Sequence, residues 1–369
     1  MKHYLQNILN SIELLTLKKI VIIGISFRIL LLVILSFYPL YYAPANFFYG
    51  PLTFQDNDLN FYLQFSQVGN FDYNNFLNNY INISKLNFEL VNNRYPGPLF
   101  PLIIYLFSYN ESNPYVFSLI NILCEFLAYM LWSIFLIKRF NKTTALLFAF
   151  SPIPLCLMII HSADTIFYLF VTIIIVNFHK LKESNNFYYL FIFILLSLLV
   201  RPSALSIIIS VLIYFIISRR IKIFHFTLLI CLFIISVYYY SPYFFFEVDK
   251  IKNFIYLSND IRNFIEINLF FPFDFFCIYL IKFFYLFGFI PSFSGNFTIY
   301  FLRSFLAIFF IFGFLISLKN TKKFEVIFIN LTILFIVFFL YPTYRYVMPI
   351  TPLLLGYSIN YFVSIFLKK

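Results

Sequence analysis

Hydrophobic positions divide the chain into long apolar runs at residues 20–42, 114–137, 143–160, 163–178, 187–200, 204–217 and 223–240, with short polar stretches between them. A run of about 20 apolar residues, wound as a helix, matches the hydrocarbon thickness of a bilayer. Ahead of the first run, Leu5, Ile8, Leu9, Ile12 and Leu15 recur at helical spacing in a mixed polar segment. That pattern predicts an amphipathic helix lying along the cytoplasmic membrane surface. The run at 20–42 is too long for a signal-peptide core and is followed by no small-residue cleavage site, so it is expected to be an uncleaved anchor. Arg28 lies inside it, and an intramembrane arginine is expected to face the bundle or to snorkel to an interface.

The polar punctuation sets an orientation. Lys18-Lys19, Lys138-Arg139, Lys180 with Lys182, Arg219-Arg220, Lys319 with Lys322-Lys323, and Lys368-Lys369 form short basic clusters between alternate runs. Cytoplasmic loops carry such an excess of Lys and Arg. Both termini are therefore expected in the cytoplasm and the chain in a cytoplasmic (inner) membrane. The segment 269–289 fits poorly: Lys282 interrupts it and both its ends fall outside, so a re-entrant or interfacial hairpin is expected there. The predicted fold is an all-α polytopic transmembrane helical bundle of about ten spans. It forms a single integral-membrane domain, 1–369, with a large first extracytoplasmic loop at about 43–113 and a second at about 241–268.

Composition agrees with this reading and removes one class of function. Hydrophobic residues make up 62% of the chain and charged residues 11%, against about a half and about a quarter in soluble domains. The formal charge of +11 would suit a nucleic-acid binder, but its cations sit at cytoplasmic loop positions rather than on one face, so no nucleic-acid partner is expected. Cys124, Cys156, Cys231 and Cys277 stand far apart in apolar segments, without metal-ligand spacing or a disulfide framework.

Orientation also sorts the candidate chemistry, because Asp56, Asp58, Arg94, His161, Asp164, Arg201, Arg303 and Arg345 all fall toward the outer face. Asp56 and Asp58, two residues apart, would approach one cavity from an extended segment, one as general base and the other orienting substrate or metal. The plainer role is helix capping by Asp56 or Asn57. His161 and Asp164 flank a turn between runs and would share a helical face, ligating a metal or positioning an acceptor. Otherwise His161 is an interfacial residue and Asp164 a cap. Arg201 precedes Pro202 at a hairpin tip, and Arg345 lies within Tyr344-Arg345-Tyr346-Val347-Met348-Pro349. An interfacial guanidinium suits a lipid phosphate, and it also serves as a simple membrane anchor.

Four stretches, in this order, resemble the GT-C superfamily of membrane glycosyltransferases, and within it the protein-mannosyltransferase and aminoarabinose-transferase-like group. They are the acidic Asp56-Asn57-Asp58 after the first span with Tyr62 and Gln67-Val68-Gly69; Arg94-Tyr95-Pro96-Gly97-Pro98 with Pro101; Ser151-Pro152 through His161 and Asp164; and Arg201-Pro202 with Arg345-Tyr346 and Pro349. The resemblance implies transfer of a sugar from a polyprenyl-phosphate donor to an acceptor hydroxyl of a lipid, glycan or protein, normally with inversion. Mapped onto this chain, it makes Asp56 or Asp58 the catalytic base. It has Asp164, with His161, assist the acceptor or a metal, and Arg201, Arg345 and Arg94 hold the donor phosphate. Members differ in cofactor: the site is either metal-free or holds Mg or Mn on Asp56, Asp58 and Asp164. The chain departs from larger relatives in its Asn-rich stretch at 74–93 and in having no soluble carboxyl-terminal domain.

Two other readings stand beside this one. An oligosaccharide polymerase of the O-antigen type would place key arginines in a large late outer loop, where 241–268 offers only Arg262. A lipid-linked sugar transporter or flippase would place charges near the bilayer midplane and show repeat symmetry. Arg28, Glu125 and Lys282 are the candidate charges.

Overall fold

The computed structural model describes residues 2–37, 99–100, 102–103, 114–151, 163–181, 186–218, 223–252, 280, 282–284, 286–287, 297–320, 322–339 and 344–367. Among these residues the only regular structure is helical. The helices are α1 (Lys2–Glu13), α2 (Leu17–Phe37), α3 (Pro114–Arg139), α4 (Lys142–Ala149), α5 (Asp164–Leu181) and α6 (Phe187–Val200), then a 3-10 turn (Pro202–Ala204). They continue as α7 (Leu205–Ser218), α8 (Ile223–Lys252), α9 (Phe297–Ser317) and α10 (Phe324–Phe339), then a 3-10 helix (Tyr344–Ile350) leading into α11 (Thr351–Leu367). Three of the described helical segments are long and apolar enough to cross a membrane: Leu119–Arg139, Asp164–Leu181 and Val347–Ile365.

Local chemistry sets several of the helix ends. Pro114 opens α3 at a position where a missing N–H costs nothing, and Lys138 and Arg139 close it, where cations oppose the helix dipole. Asp164 begins α5 and His179 and Lys180 end it, the same polarity in mirror image. Asn141 caps α4, its side chain accepting from the Thr144 N–H at 2.7 Å.

Packing places α5 between α3 and α6, and pairs α7 with α10 and α9 with α11. The short α4 sits among α2, α3 and α11, and the amphipathic α1 rests on α4 and α11. Gly313 makes the α9–α11 crossing possible, because a Cβ there would overlap the Leu354 backbone carbonyl. Small residues allow this kind of close backbone approach where lipid gives helices no hydrophobic reason to associate. The core is aromatic-rich. Phe178 stacks on Phe324 with centroids 3.5 Å apart, and Trp132, Tyr129 and Phe148 are fully buried.

Two expectations change. The run 143–160 does not begin as a continuous span: α4 ends at Ala149, and its 8 residues rise only about 12 Å. The Phe150 and Ser151 N–H groups bond back to Leu147 and Phe148, closing the helix just before Pro152, whose ring disfavours helical backbone at Ser151. The loop expected from 241 is helical through Lys252 as the end of α8. Thirty residues of helix extend about 45 Å, beyond the roughly 30 Å of hydrocarbon, so polar residues at one end need not end the helix. Around Lys282 the described backbone is helical, and Lys282, Leu286 and Phe287 are buried, with Phe283 and Phe287 packed against Phe314. Leu280 and Phe284 are exposed, and most of the re-entrant or interfacial hairpin expected at 269–289 lies outside the described residues.

Candidate functional site: a buried polar layer at the α5–α6 end

Arg201 ends α6 in an extended conformation, φ −147° and ψ 138°, as the following proline requires. Its N–H bonds to the Ser197 carbonyl at 3.0 Å, and its own carbonyl accepts from Ala204, which closes the 3-10 turn. Asp164 stands in the first turn of α5, where the helix dipole favours a carboxylate. Because α5 and α6 pack side by side, an Nη2 of Arg201 comes within 3.0 Å of Asp164 Oδ1. Both residues are buried, Asp164 at 5% exposure and Arg201 at 9%. Helices α6 and α7 have 14 residues each and so rise about 21 Å, short of the roughly 30 Å of hydrocarbon. The tip between them is enclosed, with Pro202, Ser203 and Ala204 all buried.

The enclosure comes from the later helices. The 3-10 turn packs against α10, with Ser206 Oγ donating to the Ser203 carbonyl at 2.8 Å and lying 3.3 Å from Thr332 Oγ1. The 3-10 helix Tyr344–Ile350 packs against α5, α10 and α11, with Val347, Met348 and Ile350 buried. Its backbone carries Arg345 into the same neighbourhood as α5. One turn along α5 from Asp164 lies Tyr168, 1% exposed, whose hydroxyl makes no hydrogen bond; the Ser203 hydroxyl, 4% exposed, also makes none.

A second charged pair lies between α2 and α3. Arg28 Nε reaches Glu125 Oε1 and Oε2 at 3.0 and 2.8 Å, and Nη2 reaches Oε1 at 2.8 Å. Nη1 donates to the carbonyls of Gly24 and Ala149 at 3.2 and 3.1 Å. The Tyr129 ring lies 3.7 Å from the guanidinium carbon, and its hydroxyl donates to the Ile20 carbonyl at 3.1 Å. Arg28 and Glu125 are both fully buried. Toward the Lys138-Arg139 end, Arg139 Nε donates to Glu325 at 2.7 Å, and Asn141 bonds to Asn360 at 3.0 Å.

The structure therefore brings together Asp164 and Arg201, two predicted site residues from separate stretches, and adds the backbone of Arg345. Asp56, Asp58, Arg94 and His161 lie outside the described residues, as do the side chains of Arg303 and Arg345. Asp164, the described member of the candidate metal set, already faces a guanidinium, and no group of three metal-ligating side chains occurs among the described residues. Sequence reasoning missed the Tyr168 and Ser203 hydroxyls. The available signal was a tyrosine four residues after Asp164 and a serine two after Arg201. No family model, curated protein or solved structure matches the chain.

Proposed function

We propose that the protein is a polytopic glycosyltransferase of the cytoplasmic membrane, with about ten spans and both termini cytoplasmic. It moves a sugar from a polyprenyl-phosphate donor to an acceptor hydroxyl at the outer side. The observation that carries the reading is the buried Asp164–Arg201 pair where α5 and α6 meet. A guanidinium held by a carboxylate is fixed in direction, and a guanidinium of fixed direction suits a phosphate. The pair lies beside the helix that bears Arg345, so a second cation would join it at the same phosphate.

In the proposed reaction the acceptor oxygen bonds to the anomeric carbon as the bond from that carbon to the phosphate oxygen breaks. The hydroxyl proton passes to Asp56 or Asp58. The electron pair leaves on the polyprenyl phosphate, whose charge rises, and fixed cations at that point favour the transition state. Asp164 acts as a positioning residue for Arg201. The carboxylate base and the phosphate-binding arginines thus have separate tasks.

The test is transfer of labelled sugar from a panel of polyprenyl-phosphate sugars by the purified protein, with Asp56→Asn and Asp58→Asn alongside. Transfer by the wild type that is lost in one folded variant supports the reading and identifies the base. Transfer unaffected by either substitution removes those acids from the site. No transfer from any donor, with lipid-linked sugar bound or moved across vesicles, favours a transporter instead.

A further inference from the structure

Helix α1 spends apolar side chains on protein rather than on lipid. Leu9 and, just past the helix, Leu15 pack against the core, and α1 rests on α4 and α11. Its exposed positions among the described side chains, Asn7, Asn10 and Ser11, are uncharged. A surface helix that holds a membrane by its headgroups needs cations on that face. The cations stand instead at the elbow between α1 and α2, residues 14–19.

The elbow is closed at both helix ends. The Leu15 N–H donates to the Ile12 carbonyl at 3.0 Å, and Thr16 Oγ1 caps α2 by accepting from the Lys19 N–H at 3.3 Å. Lys142 Nζ, at the start of α4, donates to the Glu13 carbonyl and ties the last turn of α1 to the bundle. A turn held in this way still presents Leu14 at 84% exposure and Leu17 at 39%, followed directly by Lys18 and Lys19, both exposed. Among the described residues neither ammonium pairs with a carboxylate.

Helix α2 has 21 residues and rises about 31 Å, roughly the thickness of the hydrocarbon layer. With α2 across a bilayer, its first turn stands at the headgroups. Leucines at that depth reach acyl chains, and lysine stems carry their ammonium groups out to the phosphates. Two cations without partners in the protein complement an anionic headgroup better than a zwitterionic one.

We infer that the α1–α2 elbow binds anionic phospholipid of the leaflet it faces, with Lys18 and Lys19 on the headgroup phosphate and Leu14 and Leu17 against the acyl chains. The inference is independent of the glycosyltransferase reading and requires only that α2 crosses a membrane.

The experiment uses the full chain in detergent as wild type, Lys18→Gln with Lys19→Gln, Leu14→Ser, and Lys180→Gln as a control at an exposed lysine in the last turn of α5. Native mass spectrometry gives the affinity of the first lipid bound, for dioleoyl phosphatidylglycerol and for dioleoyl phosphatidylcholine. The wild type is expected to prefer phosphatidylglycerol. The double lysine variant should bind it about twentyfold more weakly and bind phosphatidylcholine as before. Leu14→Ser should weaken both lipids alike, and Lys180→Gln should match the wild type. A wild type without preference, a preference kept by the double variant, an equal loss in Lys180→Gln, or wild-type binding by Leu14→Ser would each overturn the inference. Displacement of the lipid by glycerol 1-phosphate would assign the elbow to a soluble anion, and a dimer that dissociates in the double variant would assign it to a second copy; either result also overturns it. None of these outcomes bears on the glycosyltransferase reading.

Discussion

The Arg28–Glu125 and Asp164–Arg201 pairs are both buried joints between helices, but their surroundings differ. Around Arg28 every guanidinium nitrogen has an acceptor, the ring of Tyr129 covers the face, and the tyrosine hydroxyl is itself bonded. Around Arg201 the side chains keep some exposure, 11% for the arginine and 5% for the aspartate, and the hydroxyl of Ser203, two residues on, makes no hydrogen bond. A charge pair closed on all sides can only hold helices together, because a ligand would have to displace bonds already made. A pair that keeps some exposure is not closed in this way. By that difference the first pair reads as a structural clamp of α2 to α3, and the second is the one the proposed function assigns to the site.

The comparison can be broken most severely at Glu125. Glu125→Ala strands a fully buried guanidinium, and its expected cost is about 3–5 kcal/mol, seen as a large fall in Tm or loss of folded protein. Gly24→Ala acts on the same clamp indirectly, since a Cβ there would overlap the Tyr129 hydroxyl. Overpacking of this kind is expected to cost about 1–3 kcal/mol in a thermal melt. Asp164→Asn keeps a polar acceptor for Arg201, so a stability loss of only about 1 kcal/mol is expected. Its effect should appear in transfer, which should fall by about two orders of magnitude as Arg201 loses its fixed direction. Arg139→Ala serves as the control. Although Arg139 is 29% exposed, Glu325 is only 7% exposed, so the stranded carboxylate should cost about 1–3 kcal/mol of stability and leave transfer unchanged.

The sequence allowed the elements to be read better than their contacts. Basic clusters and prolines mark the ends of α3, the start of α5 and the Arg201 tip, because caps, dipoles and proline sterics act over a few residues. The break after Ala149 went unread because the apolar run continues through it, and the extension of α8 to Lys252 because its polar end reads as a loop. Partnering was harder still. Helices such as α6 and α10 are apolar on nearly every side, so no stripe indicates which face meets a neighbour. Arg28 and Glu125 were legible separately as intramembrane charges, but their contact spans 97 residues of sequence. Asp164 and Arg201 were legible as outer-face candidates with separate tasks, and the packing of α5 on α6 joins them. The one signal of Tyr168, its place four residues after Asp164, is weak in a chain with 30 tyrosines.

The most direct test removes both charges of each pair and compares the two proteins for transfer of labelled sugar from polyprenyl phosphate. Replacing both partners of a buried pair with apolar residues is often tolerated, so Arg28→Met with Glu125→Leu and Asp164→Leu with Arg201→Met can be compared as folded proteins. The expected result is near wild-type transfer by the first double variant and none by the second. Transfer retained by the second, or lost only in the first, would contradict the assignment of the Asp164–Arg201 pair to the site.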